Sequence, residues 1–257
     1  MKKKNIYILV LLVFSLLFSH NVKAEEGFRF GYEAYNLNNM GLYNGISTEN
    51  FEPDLRSTVN RETAIVMVMR IFGLEDDAIS LDAQEAEKYL DFYVDKHEVS
   101  VWAYKHMAFA VKNGTIKGTS LNTLSPKTEI DGKMFASIIL RLLGEVTPAD
   151  SYQKGIDILS DKGIVSRKDV DYFKKCPFTK DQIVGMTYSA LFAPFSNSNE
   201  TLLDKLVHEG IIPTEDVILK RKVKQIIQEI ITPNMTILEK EYAIYNYVIN
   251  NVMYDYS

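Results

Sequence analysis

VNRETAIVMVMRIFGL, residues 59–74, opens with a residue able to cap a helix and then runs almost unbroken through apolar side chains. Beyond the first turn it keeps Arg70 as its polar interruption. A surface helix retains a polar face, so a helix that is apolar nearly all round must be covered on most sides. The pattern returns twice. IDGKMFASIILRLLG at 130–144 and FTKDQIVGMTYSALF at 178–192 align with residues 59–73 without a gap. Each copy begins with an apolar residue followed by a capping side chain, Asn60, Asp131 or Thr179. Thr179 and Gln182 add the spacing of a capping box. Arg70 and Arg141 share a slot, and Gly73 and Gly144 follow as helix stops.

Upstream of each buried helix lies a second shared unit. It is a helix-like stretch closed by a glycine turn: MGLYNG at 40–45, NGTIKG at 113–118 and KGIVSR at 162–167. A loop then leads to the buried helix, with proline in FEPDLRST and in LSPKTE. The unit is helix, glycine turn, loop, buried helix. Such a unit cannot bury its apolar helix alone, so the copies must pack on one another. The expected fold is all-α: three helix-loop-helix repeats in a pseudo-threefold bundle around the three apolar helices, then a C-terminal helical segment. The expected divisions are a leader at 1–24, repeats at 25–80, 81–147 and 148–195, and the C-terminal segment at 196–257.

The leader reading rests on MKKKNIYILVLLVFSLLFSHNVKA. Three lysines precede an apolar core at 6–18, too short for a comfortable membrane span, and small residues stand at the −3 and −1 positions of a cleavage site after Ala24. No later stretch reads as a membrane span. Removing residues 1–24 takes away four of the 29 basic side chains and none of the 34 acidic ones, leaving 25 against 34, a net charge of −9. That balance argues against general nucleic-acid binding, which needs a basic surface to replace phosphate counterions. The single cysteine, Cys176, allows no internal disulfide, so the core alone must stabilise the fold. No cofactor and no metal is expected: His20, His97, His106 and His208 show no zinc-type spacing.

The repeats resemble the S-layer homology (SLH) module of bacterial surface proteins. The resemblance rests on Trp102-Ala103, Gly41…Gly45, Gly114…Gly118, Phe51-Glu52-Pro53, Val59-Asn60-Arg61-Glu62-Thr63 and Arg70-Ile71-Phe72-Gly73. It covers roughly residues 28–195. It implies a pseudo-threefold helical module whose grooves bind an anionic secondary cell wall polysaccharide on peptidoglycan, often carrying pyruvate ketals. It implies a secreted protein held at the cell wall or S-layer, out of the membrane once the leader is cleaved. The family's motif arginine, which contacts the acidic sugar, falls on Arg61; the third repeat has Lys180 there and the second has Gly132. A guanidinium presents a planar fork to a carboxylate, and a helix N-terminus adds partial positive charge. The expected glycan site is therefore Arg61 and Lys180 on the helix starts Asn60 and Thr179, with Trp102 as a stacking face. The second groove is expected to be weak because its cation is missing.

The segment after NSNET at 197–201 changes character. Val223, Ile226, Ile227, Ile230 and Ile231 fall at helical spacing before Pro233, and a second helix is expected from Thr236, capped with Glu239. Its apolar face runs through Ala243, Ile244, Tyr247, Val248 and Val252. This stretch resembles the opening of bacterial transglutaminase-like domains through Met235-Thr236, Glu239-Lys240, Ala243-Ile244, Asn250-Asn251 and Tyr254-Asp255. The catalytic Cys, His and Asp of that family lie downstream of such an opening, so the chain as given is expected to be catalytically inert. Two other readings stay open: repeats that deliver a transglutaminase-like or peptidase-like enzyme whose active half is missing, and a surface scaffold that no longer binds glycan.

Overall fold

The computed structural model describes residues 28–47, 51–145, 151–212, 223, 226–227, 229–232 and 234–251. The leader at 1–24, and Val252, Tyr254 and Asp255 of the C-terminal motif, lie outside them. The fold is all-α: among the described residues the β-pairing consists of isolated antiparallel bridges. None of the helices among these residues is long and apolar enough to cross a membrane.

Residues 27–211 form one compact unit. Its helices are α1 (Gly31–Asn39), α2 (Arg61–Ile71), α3 (Glu75–Ser80), α4 (Ala83–Leu90), α5 (Tyr104–Lys112), α6 (Gly132–Leu142), α7 (Ser151–Asp161), α8 (Val170–Phe173), α9 (Lys180–Ala190) and α10 (Leu202–His208). The three helices read as buried are α2, α6 and α9, and they carry the core: Ile65, Val68, Met69, Phe135, Ile139, Ile183, Val184 and Met186 are all but closed to solvent. Each starts on its expected cap. Asn60 Oδ1 accepts from the Thr63 amide at 3.0 Å, and Asp131 Oδ1 from the Met134 amide at 2.8 Å. Gln182 Oε1 accepts from the Thr179 amide at 2.7 Å, the reciprocal arm of the capping box. Each such cap holds a helix end by about 1 kcal/mol. Gly73 stops α2 at φ +68°, where a β-carbon would be strained, and the Leu74 amide turns back to the Met69 carbonyl at 2.8 Å.

The buried helices meet one another, α9 touching both α2 and α6, but their fuller partners are elsewhere. Each packs on the helix that precedes the glycine turn of the next repeat: α2 on α5, α6 on α7, and α9 back on α1. The arrangement is cyclic, and the segments leading into the helices repeat it. The amides of Arg61 and Glu62 donate to the carbonyls of Thr128 and Pro126 at 2.9 and 3.1 Å. Those of Lys180 and Asp181 donate to Ser57 and Leu55 at 2.9 and 3.1 Å. At the remaining junction, between the second and third repeats, Gly132 lies directly against the Phe173 carbonyl.

The second residue of each buried helix completes the ring. Glu62, 1% exposed, accepts from the Ser100 amide and hydroxyl at 2.9 and 2.8 Å, capping the turn that opens α5, and pairs with Lys127 at 2.5 Å. Asp181, fully buried, accepts from the Phe30 amide at 2.9 Å at the start of α1, and from the Tyr172 hydroxyl at 2.5 Å. Lys133, in the same position of α6, donates to Gln153 of α7 at 2.8 Å. Buried carboxylates are tolerated because backbone and hydroxyl donors satisfy them.

The unit continues past residue 195. Thr201 caps α10 with Asp204, and α10 covers the C-terminal end of α2: Lys205 donates to the Phe72 carbonyl at 3.3 Å. The residues from Ile212 onward belong to a second unit. Its described helix, α11 (Ile237–Asn251), starts at the expected capping box, with Thr236 and Glu239 bonded reciprocally at 2.7 and 3.3 Å. Ala243, Ile244, Tyr247 and Val248 share its half-buried side, whereas Tyr242, Tyr245 and Ile249 are exposed.

Candidate functional site

A cleft of about 370 Å³ opens where the start of α2 meets the second repeat. Arg61 enters it from the first turn of α2, and Arg141 from the last turn of α6. Lys117 and Thr119 belong to the loop after α5, and Tyr152 to α7. Among the described residues, none of the side chains lining the cleft is acidic.

Arg61 is only 6% exposed, and its partners are neutral. Nε donates to the Leu124 carbonyl at 3.1 Å and Nη2 to the Lys117 carbonyl at 3.0 Å, while Nη1 lies 3.7 Å from Met134 Sδ. The loop of the second repeat is thus held by the first repeat's arginine, and the arginine is aimed by that loop. Burial lowers the Arg61 pKa from its ordinary value, and the like charge of Arg141 adds to the effect. Both guanidinium groups still carry their charge at neutral pH. The Arg141 pKa is also lowered by burial, and Nη1 donates to the Thr115 carbonyl at 3.1 Å. The Tyr152 hydroxyl donates to Asp131 Oδ2 at 3.0 Å; burial and that bond push its pKa up to about 12. Among the described residues Asp131 is the acid near Arg61, and both its oxygens are engaged, one on Tyr152 and one on the α6 cap. The site therefore has a surplus of fixed positive charge in a partly enclosed space, which favours an anionic guest.

The structure separates the five expected site residues. Arg61 lines the cleft. Lys180 does not: Nζ pairs with Asp54 at 2.5 Å in the loop of the first repeat. Burial pushes the Asp54 pKa up, but the bonds from Lys180 and Ser57 outweigh it and hold it below the ordinary carboxylate value. Asn60 and Thr179 direct their side chains to their own helix starts. Trp102 stands 54% exposed in the turn 101–103, outside the cleft lining.

Gly132 also acquires a different meaning. A β-carbon there would lie 2.2 Å from the Phe173 carbonyl oxygen and 3.2 Å from the Phe178 ring. The position leaves no room for an arginine, so the motif cation of the second repeat is excluded by packing. The residue that sequence reasoning missed is Arg141. It aligns with Arg70, but Arg70 is held bidentately by Glu75 at 2.8 and 2.6 Å. The signal was present: five residues past Arg141 the chain has Val146, where the first repeat has Glu75.

The fold and site define an all-α repeat protein with a cationic cleft between consecutive repeats. No family model matches the chain. A surface-layer 125 kDa protein of Lysinibacillus sphaericus is 30% identical to it over 125 residues, which is 48% of this chain and 10% of that protein. The chain thus spans about a tenth of the length of the relative it matches. The similarity fits a cell-surface role.

Proposed function

We propose that this protein attaches non-covalently to an anionic secondary cell wall polysaccharide through the cleft that holds Arg61, in the manner of an SLH module. The observation that carries the reading is the Arg61 guanidinium, buried and, among the described residues, paired only with carbonyls and a thioether, in a cleft whose described lining carries no acid. Pyruvate ketals are one acidic substituent such a site would accept through the guanidinium fork. The three repeats at 28–195, the leader at 1–24 and the similarity to a surface-layer protein agree with a secreted chain acting at the wall. Binding alone suffices for this role.

The test is co-sedimentation of the purified chain with wall sacculi of the source cells, intact and stripped of secondary polymer by acid. Pelleting with intact walls only, and loss of pelleting in Arg61→Ala, is the expected result. Equal behaviour towards both wall preparations would sink the polysaccharide reading, and full binding by Arg61→Ala would remove the cleft from it.

A further inference from the structure

Arg70 and Arg141 hold one slot in two aligned helices, and their surroundings differ. The Glu75 carboxylate neutralises Arg70 through two short bonds, which raise the Arg70 pKa. Val146 stands at the equivalent offset from Arg141, and the adjacent Glu145 is held by Lys162 at 2.8 Å. Among the described residues, Arg141 keeps the Thr115 carbonyl as its partner and shares the cleft with Arg61. A carbonyl accepts a hydrogen bond without cancelling the charge. Two guanidinium groups, with Lys117 also in the lining, therefore face one cleft of about 370 Å³ that has no carboxylate among its described lining residues.

A single carboxylate satisfies the fork of one guanidinium and leaves the second charge uncompensated. A phosphate monoester carries about −1.5 to −2 charges near pH 7 and three acceptor oxygens, enough to engage both. We infer that Arg141 is a specificity-determining residue that makes the cleft prefer a saccharide bearing a doubly charged group, such as a phosphate monoester, over one bearing a single carboxylate. The inference rests on the reading that this cleft takes an acidic sugar. Arg61 fixes where the anion sits, because its guanidinium is tied on two sides by the Leu124 and Lys117 carbonyls. Arg141 sets how much negative charge is rewarded.

The experiment is calorimetric titration of the purified chain with glucose 6-phosphate, glucuronate and glucose at one ionic strength. The expected order is glucose 6-phosphate at least about tenfold tighter than glucuronate, with glucose weakest. In Arg141→Gln the two acids should come within about threefold of each other, because one fixed charge has gone. Arg141→Lys, which keeps the charge and loses the fork, should retain the preference at lower affinity, and Arg70→Gln should leave it intact. Equal affinity for the two acids, or a preference unchanged in Arg141→Gln, overturns the inference and leaves the acidic-sugar reading standing. Failure of both acids to bind any tighter than glucose overturns the two together.

Discussion

The Cα of Gly132 rests against the carbonyl of Phe173, so close that a β-carbon would stand 2.2 Å from that oxygen. The contact joins the second repeat to the third at the level where Arg61 joins the first to the second and Lys180 joins the third to the first. One position of the repeat thus performs three different junction tasks.

Gly132→Ala should therefore destabilise the fold by about 2–3 kcal/mol, since the neighbour is backbone and cannot swing away. Urea unfolding measures it. A variant within about 0.5 kcal/mol of the parent would show that this junction is loose.

Glu62→Ala should cost about 2–3 kcal/mol, because it strips the Ser100 amide and hydroxyl of a charged acceptor. Glu62→Gln should cost less, keeping an oxygen for one of those donors. Hydrogen exchange of the Ser100 amide should accelerate in both variants, and an unchanged rate would refute the capping role.

Lys180→Ala should leave wall binding close to that of the parent, since Asp54 already neutralises this cation. Arg61→Ala should weaken binding by about tenfold or more, the scale of a lost charge-assisted bond. The comparison is read from sacculus binding isotherms, and equal losses in the two variants would return Lys180 to the site.

His106 gives the protein an acid sensitivity. It is 5% exposed, and among the described residues neither ring nitrogen has a partner in good hydrogen-bond geometry. Burial lowers its pKa and Arg70 reinforces the shift, while the Glu75 carboxylate and the Trp102 backbone oppose it without reversing it. The folded state thus disfavours the imidazolium. Above the unfolded value of 6.5 both states are neutral and His106 contributes nothing to the pH dependence. As pH falls below that value the unfolded chain takes up a proton that the folded chain resists, so stability declines. Glu75, whose pKa is lowered by Arg70, adds a separate loss as pH falls below its unfolded value of 4.5. The upper part of the decline should vanish in His106→Phe, followed by thermal melts between pH 7 and pH 5. A slope there that survives the substitution would assign it to another group.

The helices and their limits were legible because their causes are local. The runs at 59–74, 130–144 and 178–192 show their burial in composition. Asn60, Asp131 and Thr236 show their caps within three residues. The stop at Gly73 needs only its own φ. The rule that each buried helix packs chiefly on the helix before the next repeat's glycine turn was not legible, because it depends on a ring closed between Asp181 and Phe30, far apart in the chain.

For the site, the sequence by itself determined where cations stand and that three repeats would bring their helix starts together. Only the tertiary structure decided which cations remain available. Lys180 is neutralised by Asp54 across 126 positions of chain. Arg61 is enclosed by carbonyls of a different repeat, and Trp102 is turned out of the cleft that Arg61 lines. The physical reason is range. Periodicity and capping act over a few residues along one chain segment, whereas charge compensation and exclusion by packing act over a few ångströms between segments that only folding makes neighbours.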